Sequence, residues 1–399
     1  MKNLRRVGLG VGLGVLTLAV AAPSASAHNS FGEPWGQARL TGWAALPATT
    51  FVSASDPSGA QLGGTPSNGI TPPFDDQPVQ GFSGIVKNGD GSFDVISDNG
   101  YGSKANSADF VLRIHRLFPD YDKQTVDVVG GINLTDPNGF VPWALTRSDR
   151  VLTGADFDIE SIQRLKDGTY WIGDEFGPYL LHFDRAGRLL QAPISLPGVR
   201  APENPEGNPN LNSSKGFEGM AQSPDGRTLY PLLEGTVAGD PAGSLRFNEF
   251  DLTKQRYTGK IYTYQLEDPS NSIGDAIAVD NDRFLIIERD QGQGDTAKLK
   301  RIYLADKRDR NHDGKMDKTL VADLMNIADP KHLAGPSKVF TFPFQTIEDV
   351  VILDDRTLGV VNDNNFPFSN GRTPGKPDNN EFITIRLDDN LHADRAFLD

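Results

Sequence analysis

The feature that most constrains this chain is a unit that recurs five times: an apolar strand with a small or acidic residue near its start, a tight turn, a second strand, and an acid where that strand ends. The clearest copy is Asp158-Ile159-Glu160-Ser161-Ile162, the turn Asp167-Gly168, the strand Thr169-Tyr170-Trp171-Ile172, then Gly173-Asp174-Glu175 and a third strand Tyr179-Leu180-Leu181-His182-Phe183. Asp-Gly suits a hairpin turn because glycine accepts the positive φ that such turns need, and β-branched and aromatic residues suit the pleated surface. The other copies centre on Phe82-Ser83-Gly84, Phe217-Glu218-Gly219-Met220, Gly274-Asp275-Ala276 and Ile347-Glu348-Asp349-Val350. Aligned, the first column is Ser83, Glu160, Glu218, Asp275 and Glu348, and the second is Asp98, Asp174, Glu234, Glu288 and Asp363. A repeated antiparallel unit with acids at matched places is the pattern of an all-β propeller. First-column positions are 77, 58, 57 and 73 residues apart, more than the usual repeat of about 40–50. The expectation is therefore six four-stranded blades with long loops on one rim, with five and seven left open. An N-terminal strand within 39–52 is expected to join a C-terminal strand within 382–387, closing the ring and removing free sheet edges.

Lys2, Arg5 and Arg6, the apolar run 7–22 and Ala25-Ser26-Ala27 read as a signal peptide over 1–27, leaving a single domain over 28–399 and a secreted, extracellular protein. Without residues 1–27 the balance is 36 basic against 53 acidic residues, a net charge of −17. Such a surface disfavours nucleic acid and anionic membranes and favours divalent cations. The chain has no cysteine, so no disulfide supports an exported fold. The segments 53–78, 200–214, 235–244 and 364–380 are rich in loop-forming residues, and loops of that length usually carry function.

Asp309-Arg310-Asn311-His312-Asp313-Gly314-Lys315-Met316-Asp317 places side-chain oxygens at positions 1, 3, 5 and 9, glycine at 6 and the Lys315 carbonyl at 7. This is the start of an EF-hand-type calcium loop. Leu320 stands where the closing glutamate belongs, and strands rather than helices are expected on both sides. The loop resembles the hairpin calcium loops of integrin-type propellers, and its calcium is expected to be structural.

The columns suggest different chemistry. In a propeller, equivalent positions on the innermost strands form a ring around the channel. Glu160, Glu218, Asp275 and Glu348 would repel one another there unless a cation sits among them or some are protonated. Asp174, Glu234, Glu288 and Asp363, one strand away, are candidate ligands, and calcium takes such hard oxygen donors in irregular geometry. The alternative is that Glu160, Glu218, Asp275 and Glu348 each latch backbone amides of the neighbouring blade. Neither Gly-x-Ser-x-Gly nor His-Glu-x-x-His occurs, which leaves a serine hydrolase or a zincin without its motif.

The run Asp158-Ile159-Glu160 through Asp167-Gly168-Thr169-Tyr170-Trp171-Ile172-Gly173-Asp174-Glu175-Phe176-Gly177-Pro178 resembles the phytase-like family of secreted bacterial proteins, and Phe217-Glu218-Gly219-Met220, Ile347-Glu348-Asp349-Val350 and Asn362-Asp363-Asn364-Asn365 fit the same pattern. The resemblance implies a calcium-dependent hydrolase of phosphate or other small esters, monomeric, with clustered calcium ions on one face. In that reading Glu160, Glu218, Asp275 and Glu348 form the active ring, and Arg289 steadies a phosphate, with Lys104, Lys215 and Arg372 as further cations. The glutamate-glycine pair Glu218-Gly219 also resembles calcium-dependent lactonase propellers. The opposing expectation is a non-enzymatic, calcium-stabilised propeller that binds a glycan or protein.

Overall fold

The computed structural model describes residues 35–398, so the expected signal peptide over 1–27 lies outside the described residues. The strands pair into five four-stranded antiparallel blades. Blade 1 is Phe82–Lys87, Phe93–Ser97, Arg113–Asp120 and Thr125–Asn133; blade 2 is Ile159–Arg164, Tyr170–Asp174, Tyr179–Phe183 and Ile194–Ser195. Blade 3 is Phe217–Gln222, Thr228–Leu233, Ser244–Asp251 and Arg256–Gln265; blade 4 is Ser272–Ala278, Arg283–Arg289, Lys300–Asp306 and Asp317–Asp323. Blade 5 takes three strands from the end of the chain, Asp349–Asp354, Thr357–Val361 and Asn380–Arg386, and its fourth, Arg39–Leu46, from the beginning. The first strands contact one another in the closed order of blades 1, 2, 3, 4, 5 and back to 1.

The count is thus five among the described residues, not six. The excess spacing between repeats lies in connections such as 134–158, 196–216 and 324–348, where only the two-residue strands Ile327–Ala328 and Val339–Phe340 form. The closing strand lies where the sequence places it. Leu40 faces Ile385 and Trp43 faces Ile383 in antiparallel register. Leu40, Ala44 and Leu46 are buried while Arg39 and Thr41 are exposed, so alternation fixes which face turns inward.

Inner strands are packed from both sides by neighbouring blades and therefore read as continuous buried runs: all five residues of Tyr170–Asp174 are buried, whereas most of Thr125–Asn133 is exposed. Trp171, Leu180, Phe217, Met220 and Phe250 fill the seam between blades 2 and 3, each worth about 1.5–3 kcal/mol when fully buried.

First strands begin, and second strands end, at the same edge of each sheet. The long segments 98–112, 196–216, 235–243 and 362–379 enter or leave at that edge, while the opposite edge carries tight turns such as 165–169 and 223–227. Asp309 and its neighbours join the third and fourth strands of blade 4 and lie at the turn edge. Strands do flank that loop, as expected.

Candidate functional site

Blades 1 to 4 open with the same pairing. Phe82 faces Ser97, Ile159 faces Asp174, Phe217 faces Leu233 and Ile273 faces Glu288, and in every case the register shifts immediately afterwards. Bulges of this kind bend a strand and re-aim the side chain they carry. Ser83, Glu160 and Glu218 occupy the bulges of blades 1 to 3, and Glu348, whose N–H meets the Val361 carbonyl at 3.3 Å, stands just before the first pair of blade 5, Asp349 with Val361. One residue beyond the facing partner stand Asp98, Glu175, Glu234 and Arg289, with Asp363 at the matching end of blade 5.

This register corrects three of the expected positions. Side chains alternate across a strand, so a slip of one residue sends a group to the other face. Asp174 is the facing partner itself, and its two oxygens accept the N–H groups of Asp158 (2.9 Å) and Gly177 (2.7 Å). Glu288 likewise turns away, accepting from the Glu267 N–H (2.6 Å), Asn271 (2.8 Å), Tyr264 (3.0 Å) and Lys318 (2.9 Å). In blade 4 the shift spans both Gly274 and Asp275, and Asp275 binds the N–H of Val350 in blade 5 at 3.1 Å and that of Ala276 at 2.7 Å. Asp275 is thus a latch to the neighbouring blade, the alternative left open by the sequence, whereas Asp174 is satisfied within blade 2 and Glu288 ties blade 4 to Tyr264 and Glu267 at the end of blade 3. Gly274 fills the bulge because a Cβ there would lie 1.9 Å from the Ile347 carbonyl oxygen.

What remains converges. Asp158, Glu160 and Glu175 each offer an oxygen within 4.8 Å of the others', and so do Glu175, Glu218 and Glu234. Glu175 is common to both triads, and all five residues are buried. The Asp158 carboxylate accepts from Asn99 (Nδ2, 2.7 Å) and Ser214 (2.9 Å). Arg289 reaches Glu348 at 3.0 Å, Glu234 at 3.4 Å and Glu218 at 3.5 Å, Lys215 pairs with Glu234, and Ser83 donates to Glu348 at 3.0 Å. Arg289 is therefore an internal counter-ion rather than an exposed anchor for phosphate. Glu175 Oε1 and Glu218 Oε1 are buried with no hydrogen-bond partner.

The electrostatics follow from this crowding. Burial first, then like charges, pushes Glu160, Glu175 and Glu218 well above the ordinary carboxylate range; Asp158 and Glu218 act on Glu160, and Glu234 acts on both Glu175 and Glu218. Burial and then Asp363 lift Glu348 to about 8 despite Arg289 and Ser83. Burial lifts Asp363 to about 6. Burial alone would favour neutral Lys215 and Arg289, but the carboxylates around them outweigh it and hold both charged. An all-oxygen donor set with two buried oxygens that accept no hydrogen bond fits a hard divalent cation such as calcium.

The 309–317 loop differs. Asp309 accepts the N–H groups of Asp313 and Gly314 (both 3.0 Å), Asn311 that of Asp313 (2.9 Å), Asp313 that of Lys315 (2.9 Å) and Asp317 that of Arg310 (2.7 Å). Sequence reasoning missed Asp158 and Glu175. Asp158 lies two residues before Glu160, the spacing that puts both on one face of a strand.

A search of known proteins returns relatives. The chain is 31% identical over 184 residues to an uncharacterized secreted protein of Arthroderma benhamiae, and the match spans 35% of each chain. Solved structures of similar shape include a protein of unknown function from Dyadobacter fermentans (13% identity, TM-score 0.42, covering 88% of this chain and 99% of that one). Another is a luciferin-regenerating enzyme (12% identity, TM-score 0.38, 78% of each chain). Likeness this distant leaves the fold to rest on the strand pairing itself. Among the described residues no helix is long and apolar enough to cross a membrane. Residues 77–366, from the entry to blade 1 to the loop leaving the second strand of blade 5, match the phytase-like family described as "Esterase-like activity of phytase", and the chain belongs to that family.

Proposed function

We propose that this chain is a secreted, monomeric, calcium-dependent hydrolase of small esters, phosphate esters foremost, acting at the carboxylate pocket. The observation that carries the reading is the pair of buried triads sharing Glu175, in which Glu175 Oε1 and Glu218 Oε1 accept no hydrogen bond and Glu218 Oε1 has only a 3.5 Å ion pair to Arg289. Asp158, Glu160 and Glu175 would hold one cation, and Glu175, Glu218 and Glu234 another. Bound calcium supplies positive charge that polarises an ester oxygen and acidifies a water. Glu218, with an oxygen free of hydrogen bonds, would take the proton from the attacking water as general base. Arg289 fixes Glu218, Glu234 and Glu348 relative to one another. Lys215, its side chain 35% exposed, is the cation placed to meet a negative substrate oxygen. Family membership and the secreted relative support the reading. A separate, structural calcium belongs to the loop of Asp309, Asn311, Asp313, Lys315 and Asp317.

The test is turnover of phosphomonoesters, phytate, short acyl esters and lactones by parent and Glu218→Gln, with and without calcium. The variant keeps size and an oxygen but loses basicity, so turnover is expected to fall on the order of a hundredfold while the melting temperature holds. Unchanged turnover in Glu218→Gln would remove the pocket as the active site.

A further inference from the structure

A second cleft lies far from the carboxylates, at the turn edge between blades 1 and 2. It encloses about 680 Å³ and is lined by Arg116, Arg164, Lys166 and Arg185, by Asp94 and Asp167, and by the apolar surfaces of Ile114, Val129, Ile132 and Tyr170. Four cations face two carboxylates there, two net positive charges on a chain whose overall charge is −14. The arrangement is built. Asp94 is buried, and its carboxylate accepts from Arg116 Nε (2.8 Å) and Nη2 (3.2 Å), Arg164 Nη1 (3.2 Å), the Tyr170 hydroxyl (2.9 Å) and Asn88 (3.1 Å). One buried carboxylate thus sets two guanidinium groups from different blades, and both stay part-exposed, 44% for Arg116 and 28% for Arg164. Lys166 in the hairpin turn and Arg185 in the next turn add two exposed cations, Arg185 resting on the Asp167 carbonyl at 3.2 Å.

We propose that this cleft is a second, non-catalytic site for a phosphate-type dianion carried on an apolar body. Guanidinium groups held in fixed orientation bind tetrahedral oxyanions through paired N–H donors. A phosphate monoester carries about −1.5 to −2 charge at neutral pH, which matches the cleft's surplus where a single carboxylate does not. The wall of Ile114, Ile132 and Tyr170 accepts the rest of the ligand. The inference does not depend on the hydrolase reading, because no residue of one site lines the other.

Phenylphosphonate, which has no ester bond to hydrolyse, is the probe, with inorganic phosphate and acetate beside it, titrated calorimetrically without added calcium. Phenylphosphonate is expected to bind more tightly than phosphate, and acetate not measurably. The double variant Lys166→Ala, Arg185→Ala changes only exposed side chains; it should weaken phenylphosphonate binding roughly tenfold or more, as loss of charge-assisted hydrogen bonds implies, and leave ester turnover unchanged. Glu218→Gln should bind the probe as the parent does. The proposal is overturned if the parent binds no phenylphosphonate, if the double variant binds it equally well, or if Glu218→Gln loses it, which would put the anion among the carboxylates.

Discussion

The carboxylate pocket and the 309–317 loop are built from the same kinds of residue and differ in what their oxygens already touch. In the loop, Asp309, Asn311, Asp313 and Asp317 each accept a backbone N–H from the loop itself, and most of the turn stands in water. In the pocket, Glu175 and Glu218 are buried; Glu175 Oε1 accepts no hydrogen bond, and Glu218 Oε1 has only the 3.5 Å ion pair to Arg289. Burying an unpaired charge costs several kcal/mol unless a proton or a cation offsets it. Acidic spacing alone therefore says little about need: the loop can hold its shape without a cation, whereas the pocket stores a cost that something must relieve. The pocket should dominate how fold and activity respond to metal.

The largest expected effect comes from removing the pocket's own cation. Arg289→Met keeps the length of the side chain but leaves Glu218, Glu234 and Glu348 without their shared counter-ion. Breaking a buried ion pair from one side typically costs about 3–5 kcal/mol. That loss is expected in chemical unfolding above pH 8 in chelator, and it should shrink as pH falls through about 8, where Glu348 takes up its proton. A loss under about 1 kcal/mol, the range of an exposed pair, would put the pocket in the same class as the loop.

A latch should respond to pH more than to metal. Burial lifts Asp275 to about 7, against the pull of its bonds to the N–H groups of Val350 and Ala276. A carboxyl raised on folding contributes its stability fully below its unfolded value of 3.8 and loses it as pH climbs through about 7. That contribution is on the order of a few kcal/mol. Asp275→Asn keeps an acceptor oxygen and cannot ionise. The stability of the variant relative to the parent should therefore rise between pH 4 and pH 8. Parallel curves over that range would mean that Asp275 does not titrate.

The closing of the ring was legible because a propeller must join its first and last strands to remove free sheet edges, and apolar strands stand at both ends of the repeats, Leu40 to Leu46 and Phe382 to Ile385. The blade count was not, since a spacing of 73 or 77 residues does not distinguish a missing blade from a long loop. Composition placed carboxylates on the right strands but could not resolve a shift of one residue. Asp174-Glu175 and Glu288-Arg289 each offer two neighbouring charged groups, and only strand pairing tells which of the two faces the channel. The two-residue shift at Gly274-Asp275 has no mark in the sequence beyond a glycine that any turn could use. Arg289 was legible as an important cation, and its task was not, because its three partners come from blades 3 and 5.

The smallest effect belongs to the loop. Asp313 is exposed, and its carboxylate accepts the Lys315 N–H at 2.9 Å. Asp313→Ala removes that bond and one oxygen of the expected calcium set. Without calcium the change should cost about 0.5–1.5 kcal/mol, the net worth of one hydrogen bond. A calcium ion that binds the folded loop alone adds stability that grows with its concentration. The gap between parent and Asp313→Ala should therefore widen in millimolar calcium, with ester turnover unchanged because the loop sits at the opposite edge of the sheet from the pocket. The measurement is a melting curve of each protein in chelator and in calcium. A gap that stays constant would make the loop a self-satisfied turn and leave the pocket as the place where calcium acts on the fold. A gap wider than that of Arg289→Met would reverse the comparison.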